Sequence, residues 1–458
     1  MKLFTRDRDF YETFFPLLLV ITLQSLISLA VNLADNIMLG MYSETALAGA
    51  ALVNQLHFML SQVIAGIGAG VVVLGAQYWG KGETEPIRRI ISLGVKLSLV
   101  FGLLFFAATS LFPTQVLRLL TPDEAVIAAG AEYLQLMRWT YIIFSISNVL
   151  VLSLQSVQTA AIGTVMSVST LLINTCLNYC LIFGNFGAPQ LGITGAAIAT
   201  LTARIVELII VLIYLLRIDK KLKMKLRGLL ALDFSYLRDY IRVSLPVVLS
   251  GAQWGLAQTA QTAILGHINA EALAANSIAA IIFQIFAILG MNCASAGSVT
   301  VGKVVGVGAL EKVRPYSVTL QAIFIIIGVV AGAGIFIFKD IFVGFYVVSE
   351  ETRRLALQFL TVLAVATVGT CYEFPVEAGI IGGGGDTKYA SIIDVSFMWL
   401  FTIPAAALSA FVFGFPPAIT FCFLKADQLL KCIPNAIYCN KFQHKWVKQL
   451  TREAPAAR

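Results

Sequence analysis

Apolar runs of about 20 residues, the length that crosses the hydrocarbon core of a bilayer, follow one another along nearly the whole chain. Hydrocarbon offers no partner to a backbone N–H or C=O, so such runs are confined to α-helices or closed barrels. Barrel strands read as alternating segments of about ten residues, whereas these runs are long and continuous. By hydropathy the spans fall near 12–36, 48–76, 90–112, 129–151, 160–183, 192–216, 238–265, 273–300, 317–338, 355–377, 388–411 and 416–438. Only 12% of the 458 residues are charged, about half the share of a soluble protein. The expected fold is an all-α polytopic membrane protein of about twelve transmembrane helices.

The net charge of +7 sits in loops rather than on one face, which argues against nucleic acid and for the positive-inside rule. Lys2, Arg6 and Arg8 precede the first span, and Lys81, Arg88 and Arg89 follow the second. Arg217, Lys220, Lys221, Lys223, Lys225 and Arg227 fill the middle connection; Lys441, Lys445, Lys448 and Arg452 lie in the tail. The alternate loops carry almost no Lys or Arg. Both termini are therefore expected in the cytoplasm. The first apolar run is longer than the 7–15 residues of a signal-peptide core and reads as an uncleaved helix. Seven scattered cysteines and three histidines form no metal or disulfide spacing, so no cofactor is expected.

Arg217–Arg238 is the longest polar connection and lies near the midpoint. It divides the chain into a first lobe (1–216), a cytoplasmic linker (217–237), a second lobe (238–440) and a tail (441–458). The lobes repeat at an offset of 226: Gly40 pairs with Gly266, Ala46-Leu47-Ala48 with Ala272-Leu273-Ala274, and Gly80-Lys-Gly82 with Gly306-Val-Gly308. Glu85 pairs with Glu311 and Arg88 with Arg314. Equal topologies imply parallel repeats about a pseudo-two-fold axis along the membrane normal, a layout used for alternating access.

Within the first apolar run stands Asp35. A carboxylate at that depth costs about 2.5–3.5 kcal/mol on insertion scales, so it is expected to face the protein or a wet cavity, where it can exchange a proton or a sodium ion. Capping a helix near the membrane edge is the plainer role. Asn174 and Asn178, four apart, share a helix face; they suit a cation site and interhelical hydrogen bonding equally well. Gly187–Arg204 is a turn followed by a small-residue helix made for close packing, from which Thr200 alone reaches toward a cation site. Arg204 and Glu207 are expected to pair. The repeat sets Gln261 opposite Asp35, so cation chemistry is expected in the first lobe only. In the second half Glu373, Glu377, Asp394 and Asp427 fall in or beside apolar runs. The Gly382–Asp386 stretch, GGGGD, lacks the ending and the strand of a phosphate loop. Gln24, Asn32, Gln155, Gln253, Gln261 and Asp394 are taken as candidate cavity residues, since polyspecific cavities use generic amide and aromatic contacts.

Four stretches carry a family likeness: NLADNIMLG (Asn32–Gly40), GAQYWGKGE (Gly75–Glu83), INTCLNYCLIFG with PQLGITGAAIAT (Ile173–Thr200), and GGGGDTKYASIID (Gly382–Asp394). In their order and spacing the chain resembles the multidrug and toxic compound extrusion (MATE) transporters over nearly its whole length. The resemblance implies twelve helices in two six-helix lobes forming a V, and export of organic, often cationic, compounds against an inward flow of protons or sodium. By position Asp35, Asn174, Asn178 and Thr200 match the family's first-lobe cation site, with Na+ or H+ as coupling ion. The chain departs from the family in four places, one being Asn178 where some members have aspartate, which leaves the site one acid poorer and speaks against tight sodium binding. Val20 stands where many members have proline, with Pro16 one turn earlier. Gly382 replaces the usual arginine, and Pro246–Gln261 holds no carboxylate, so the second-lobe sodium site of one branch is not expected.

The reading is a monomeric antiporter of the bacterial inner membrane, multi-pass, acting on small organic cations or other amphipathic compounds and not an enzyme. A flippase for lipid-linked sugars is the alternative; Asp35 and the lack of intramembrane Lys or Arg clusters speak against it. A membrane-embedded transferase would need clustered acids, histidines or metal ligands in a loop.

Overall fold

The computed structural model describes residues 4–120, 123–159, 161–231, 233–346 and 348–447. The parts of the tail and amino terminus that include Lys2, Lys448 and Arg452 lie outside the described residues. Among those described, ten helices are long and apolar enough to cross a membrane. They are α1 (Arg8–Tyr42), α2 (Glu44–Lys81), α3 (Thr84–Leu111), α4 (Glu124–Ser156), α5 (Ala161–Phe183), α6 (Gly192–Ile218), α8 (Ala270–Val307), α9 (Leu310–Gly344), α10 (Glu350–Ile381) and α11 (Thr387–Val412). Two more complete the twelve: α7 (Leu237–Ile268), and α12, built from Pro417–Lys425, Asp427–Leu430 and Cys432–Lys441.

Most helices outrun their apolar spans, because polar first and last turns extend them beyond the hydrocarbon. Asp123 caps α4 by accepting from the N–H groups of Ala125 and Val126, and Asn269 caps α8 through Ala272, each supplying a partner that the first turn lacks. α1 is continuous through Pro16. α10 and α11 contain wide π turns, at Pro375–Ile381, Met398–Thr402 and Leu408–Val412. Pro375 and Pro404 remove backbone donors there, and such turns often mark functional positions.

Two compact units emerge, one of Leu19–Gly75 with Glu83–Val248, the other of Met1–Leu18, Ala76–Gly82 and Leu249–Arg458. In the first unit the close approach expected of the small-residue helix is present. A Cβ on Gly195 would lie 2.6 Å from the Leu181 carbonyl oxygen, and Ala196, Ala197 and Ala199 are buried. The middle connection is docked rather than free: Arg88 donates to the Leu222 carbonyl at 2.6 Å, Arg89 pairs with Asp233 at 3.0 Å, and Leu222 and Met224 are buried.

In the second unit the core joins α7, α8, α9, α10, α11 and α12, with Phe359 stacked on Phe421 at 4.1 Å. The start of the chain is tied to α8 and α9. Lys303 holds Asp9 at 2.7 Å, while Lys312 and Tyr316 donate to Asp7 at 2.8 and 2.9 Å. These donors keep the Asp7 carboxyl below its ordinary 3.8.

The repeat survives at atomic level. Gly82 and Gly308 both have left-handed backbones, with φ of 77° and 79°. A Cβ on Gly80 would lie 2.2 Å from the carbonyl oxygen of Lys303, and one on Gly306 would lie 1.9 Å from that of Gln77. Gln77 and Lys303 are themselves 226 apart, so each half offers the other's partner the same bare backbone.

Two predictions follow from this packing. Gly306→Ala and Gly80→Ala each force a methyl onto a carbonyl and are expected to cost about 1–3 kcal/mol, read as a lower melting temperature in detergent. Gly344→Ala, where a Cβ meets nothing within 4 Å, is the control and leaves it unchanged. Asp7→Asn is expected to cost about 0.2–1 kcal/mol at neutral pH, the range for a partly exposed pair. Because the folded state lowers the carboxyl's value, its contribution is complete above 3.8 and fades as pH falls through the lower folded value. Wild type and variant should therefore converge in acid; a gap that persists there would show that charge is not its origin.

Candidate functional site

Asp35 lies on α1 two turns before the helix end, and its side chain turns inward toward α5. Asn178 Nδ2 donates a short hydrogen bond to Asp35 Oδ1. The same amide reaches Asn174 Oδ1 at 3.2 Å, and Asn174 Nδ2 donates to Thr200 Oγ1 on α6 at 3.2 Å. Helical spacing explains the order: 174 and 178 are one turn apart, and the Gly195 contact draws α6 close enough for Thr200 to meet them. Both asparagines are buried, at 1% and 0% exposure, while Asp35 is half-buried. Asn178 Oδ1 is buried and has no hydrogen-bond partner among the described residues. The site thus offers a carboxylate, two amide oxygens and a hydroxyl, with one acceptor lacking a donor. Such an all-oxygen set suits a proton or a hard cation.

Two further residues complete it. Tyr133 of α4 is buried, with its hydroxyl near Thr200. Arg204, one turn beyond Thr200, acts on Asp35 through space while pairing with Glu207 at 2.7 Å and lying 5.4 Å over the Phe144 ring. The Arg204–Glu207 pair is where the spacing places it, and its position one turn from Thr200 also brings the Arg204 charge to bear on Asp35. That four-residue step was readable in the sequence; nothing in the sequence singles out Tyr133. His57 packs edge-on against Phe144 at 4.6 Å, with Nδ1 buried and without a partner among the described residues.

The candidate cavity residues divide. In the first unit Gln155 donates to Gln24 at 3.4 Å, with Gln24 pressed on Gly163, and Asn32 is exposed. In the second, Trp399 donates to Gln253 at 3.1 Å. Gln261 is buried and accepts from Lys425 at 3.0 Å; its Nε2 meets the Met398 sulfur. Asp394 is bound to Lys431 at 2.8 Å.

That last pair belongs to a cluster of the acids noted in the apolar runs of the second half: Glu373, Glu377 and Asp394 each bring an oxygen within 4.8 Å of the others. The spans are not free of lysine, however, since Lys425 and Lys431 lie within α12. Scattered over three helices, these groups look isolated in the chain, although Asp427 and Lys431 stand at pairing distance, four apart. The lysines do not supply the open cationic cavity of a sugar-lipid flippase, because Lys431 is enclosed by carboxyls and Lys425 is bonded to an amide.

The MatE family model matches residues 20–180 and 246–431. A probable multidrug resistance protein NorM of Listeria monocytogenes (serovar 1/2a) is 26% identical over 401 residues, covering 87% of this chain and 86% of its own length. Its namesake in Thermotoga maritima is 23% identical over 433 residues, covering 94% and 92%. Among solved structures, a MATE in the straight conformation superposes with a TM-score of 0.86 at 19% identity, covering 95% of this chain and 97% of the other. A MOP superfamily transporter from Pyrococcus furiosus gives 0.87 at 18%, covering 96% and 97%. At those identities the structures speak for the fold alone.

Proposed function

This chain belongs to the MatE family of multidrug efflux transporters, and on that premise we propose that it is an antiporter of the inner membrane that couples export of organic cations to entry of protons or sodium. The observation that carries the reading is the orphan Asn178 acceptor beside Asp35, inside helices of membrane length. An unmatched buried acceptor next to a carboxylate is costly, and a small cation, or a proton on Asp35, removes the cost.

In the proposed cycle the outward-open form takes the cation at Asp35, Asn174, Asn178 and Thr200 and loses affinity for cargo. The cargo leaves to the outside. The two halves, 1–216 and 238–440, then exchange access, the cation leaves to the cytoplasm and new cargo binds. Linkage makes the effect reciprocal: cargo must weaken cation binding by the factor that the cation weakens cargo binding. Neutralising Asp35 changes the hydrogen bond from Asn178 and the pull of Arg204 together, so one event at α1 is felt on α5 and α6. The Lys and Arg of the flanking loops support a cytoplasmic side for both termini.

Asp35→Asn should abolish uptake of a fluorescent organic cation into everted vesicles, with expression and melting temperature retained. Imposing a pH gradient and a sodium gradient separately identifies the coupling ion. Asn178→Ala should leave transport measurable and shift the cation dependence roughly tenfold, the equivalent of about 1.4 kcal/mol, close to the lower end of the range for a hydrogen bond to a charged group. Wild-type transport by Asp35→Asn under both gradients would end the coupling role.

A further inference from the structure

The connection between α6 and α7 carries positive charge that no carboxylate answers. Arg217, Lys220, Lys221, Lys223, Lys225 and Arg227 follow one another closely, and Asp219 is the one acid among them. Asp219 is occupied by backbone, accepting from the N–H groups of Leu222 at 2.7 Å, Lys223 at 3.3 Å and Lys221 at 3.4 Å. Lys221 lays its ammonium on the Val157 and Gln158 carbonyls at 2.8 and 3.1 Å. Arg217, Lys220, Lys223, Lys225 and Arg227 are exposed, and none of them forms an ion pair among the described residues. Other basic residues near the ends of helices do have acids. Arg88 and Arg89 meet Glu85 at 3.2 Å, Arg118 meets Glu124 at 3.0 Å and Lys303 meets Asp9 at 2.7 Å.

The connection is also a built strap rather than a loose linker. Ser92 of α3 donates to the Leu229 carbonyl at 2.8 Å, Lys96 donates to that of Ala231, and Arg88 to that of Leu222 at 2.6 Å. Leu222, Met224 and Leu229 are buried against the first unit, so that from Lys221 to Lys225 exposed lysines alternate with buried apolar residues. Lys223 has a left-handed backbone, with φ of 48°, and the turn thus shows an ammonium where glycine would be at ease. Between and beside the charges, Ile218, Leu226 and Phe234 are more than half exposed. The strap leaves one membrane helix at Ile218 and leads to the next at Leu237, which holds it at the level of the lipid headgroups. Basic clusters beside a span attract anionic lipid, and Lys and Arg interleaved with Leu and Phe settle at the boundary of headgroup and acyl chain. A nucleic acid would answer the charges but not the three apolar side chains.

We propose that the strap of residues 217–229 is a binding site for anionic phospholipids. Lys220, Lys223, Lys225 and Arg227 take the headgroup phosphates, while Ile218 and Leu226, with Phe234 beyond them, enter the acyl boundary. Arg88, Ser92 and Lys96 tie the strap to α3, and Lys221 ties it to the turn after α4, so lipid held there steadies the first unit. Lipid binding by the strap is independent of the antiport cycle.

Native mass spectrometry of the full-length protein, released from micelles holding equal phosphatidylglycerol and phosphatidylcholine, reads which lipid it keeps. Wild type should bind phosphatidylglycerol roughly fivefold more tightly, the equivalent of about 1 kcal/mol for one basic side chain at a headgroup. Lys220→Gln, Lys223→Gln, Lys225→Gln and Arg227→Gln combined should bring the two lipids level. Arg6→Gln, Arg314→Gln, Lys441→Gln and Lys445→Gln combined remove the same charge from other exposed positions and should leave the preference in place. Equal loss in both variants overturns the proposal, because diffuse charge would then suffice, and so does a wild type without preference. The second arm is the melting temperature in nanodiscs. Phosphatidylglycerol should raise that of wild type above its value in phosphatidylcholine and leave the strap variant unmoved; a rise of equal size in both overturns the proposal. Should the strap variant melt lower than wild type in phosphatidylcholine, Lys220→Gln with Arg227→Gln carries both arms with the same outcomes. Binding of a short oligodeoxynucleotide that the strap variant loses, with lipid selection equal in the two proteins, would give the strap a soluble polyanion instead and overturn the proposal.

Discussion

Charge inside hydrocarbon has to be answered where it stands, and that requirement shapes both halves of this protein. Water cannot reach in to solvate a carboxylate, so each acid within a span must find a donor, a cation or a proton. In the first half the answer is amides: Asn178 donates to Asp35, Asn174 supports Asn178, and Thr200 closes the chain from the next helix. In the second it is an ammonium ringed by acids. The same requirement acts on the backbone. Where prolines remove donors from α10 and α11, the helices widen instead of breaking, and two of the buried acids sit on the wide turn of α10 or beside it.

The two halves have kept their backbone likeness and lost their side-chain likeness. Glycines 226 residues apart share a left-handed conformation and make reciprocal close contacts, because a methyl at either contact would strike a carbonyl. No such constraint preserves polar side chains. At the same offset Asp35 becomes Gln261, Asn174 becomes Leu400, Asn178 becomes Pro404 and Thr200 becomes Ala426. Gln261 therefore has no carboxylate chemistry to repeat, and it binds Lys425. The acids of the second half stand at other positions, on α10, α11 and α12, so they are not a displaced copy of the first site.

Much of this was legible in the sequence, for reasons that differ by residue. The spans are readable because insertion depends on length and apolarity alone. Asn174 and Asn178 are readable as one face because a helix turn is fixed, and Gly195 announces the close contact that brings Thr200 to them. The expectations of two lobes in a V and of a coupling role for Asp35 rest on resemblance rather than on periodicity. The Lys431 cluster was not legible. Its members span residues 373 to 431, and no local rule states which faces of three helices turn toward one another. GGGGD, which lacks the marks of a phosphate loop, has a packing reason for its glycines, since a Cβ on Gly383 would lie 2.8 Å from Ser298 and one on Gly384 2.4 Å from the Trp446 ring.

A transporter with titratable groups in both halves differs in kind from one that relies on a single carboxylate. With one site, cargo and cation can oppose each other only through α1 and its amide partners. On α10, α11 and α12 the acids surround Lys431, and Asp394, which holds it, is on the same helix as Trp399, whose indole bonds Gln253 of α7. A ligand shifts an equilibrium only through its differential affinity for the two states, and charged groups in separate helix sets can each contribute such a difference. Burying four acids around two lysines carries a cost, and a conformation that changes their surroundings changes that cost.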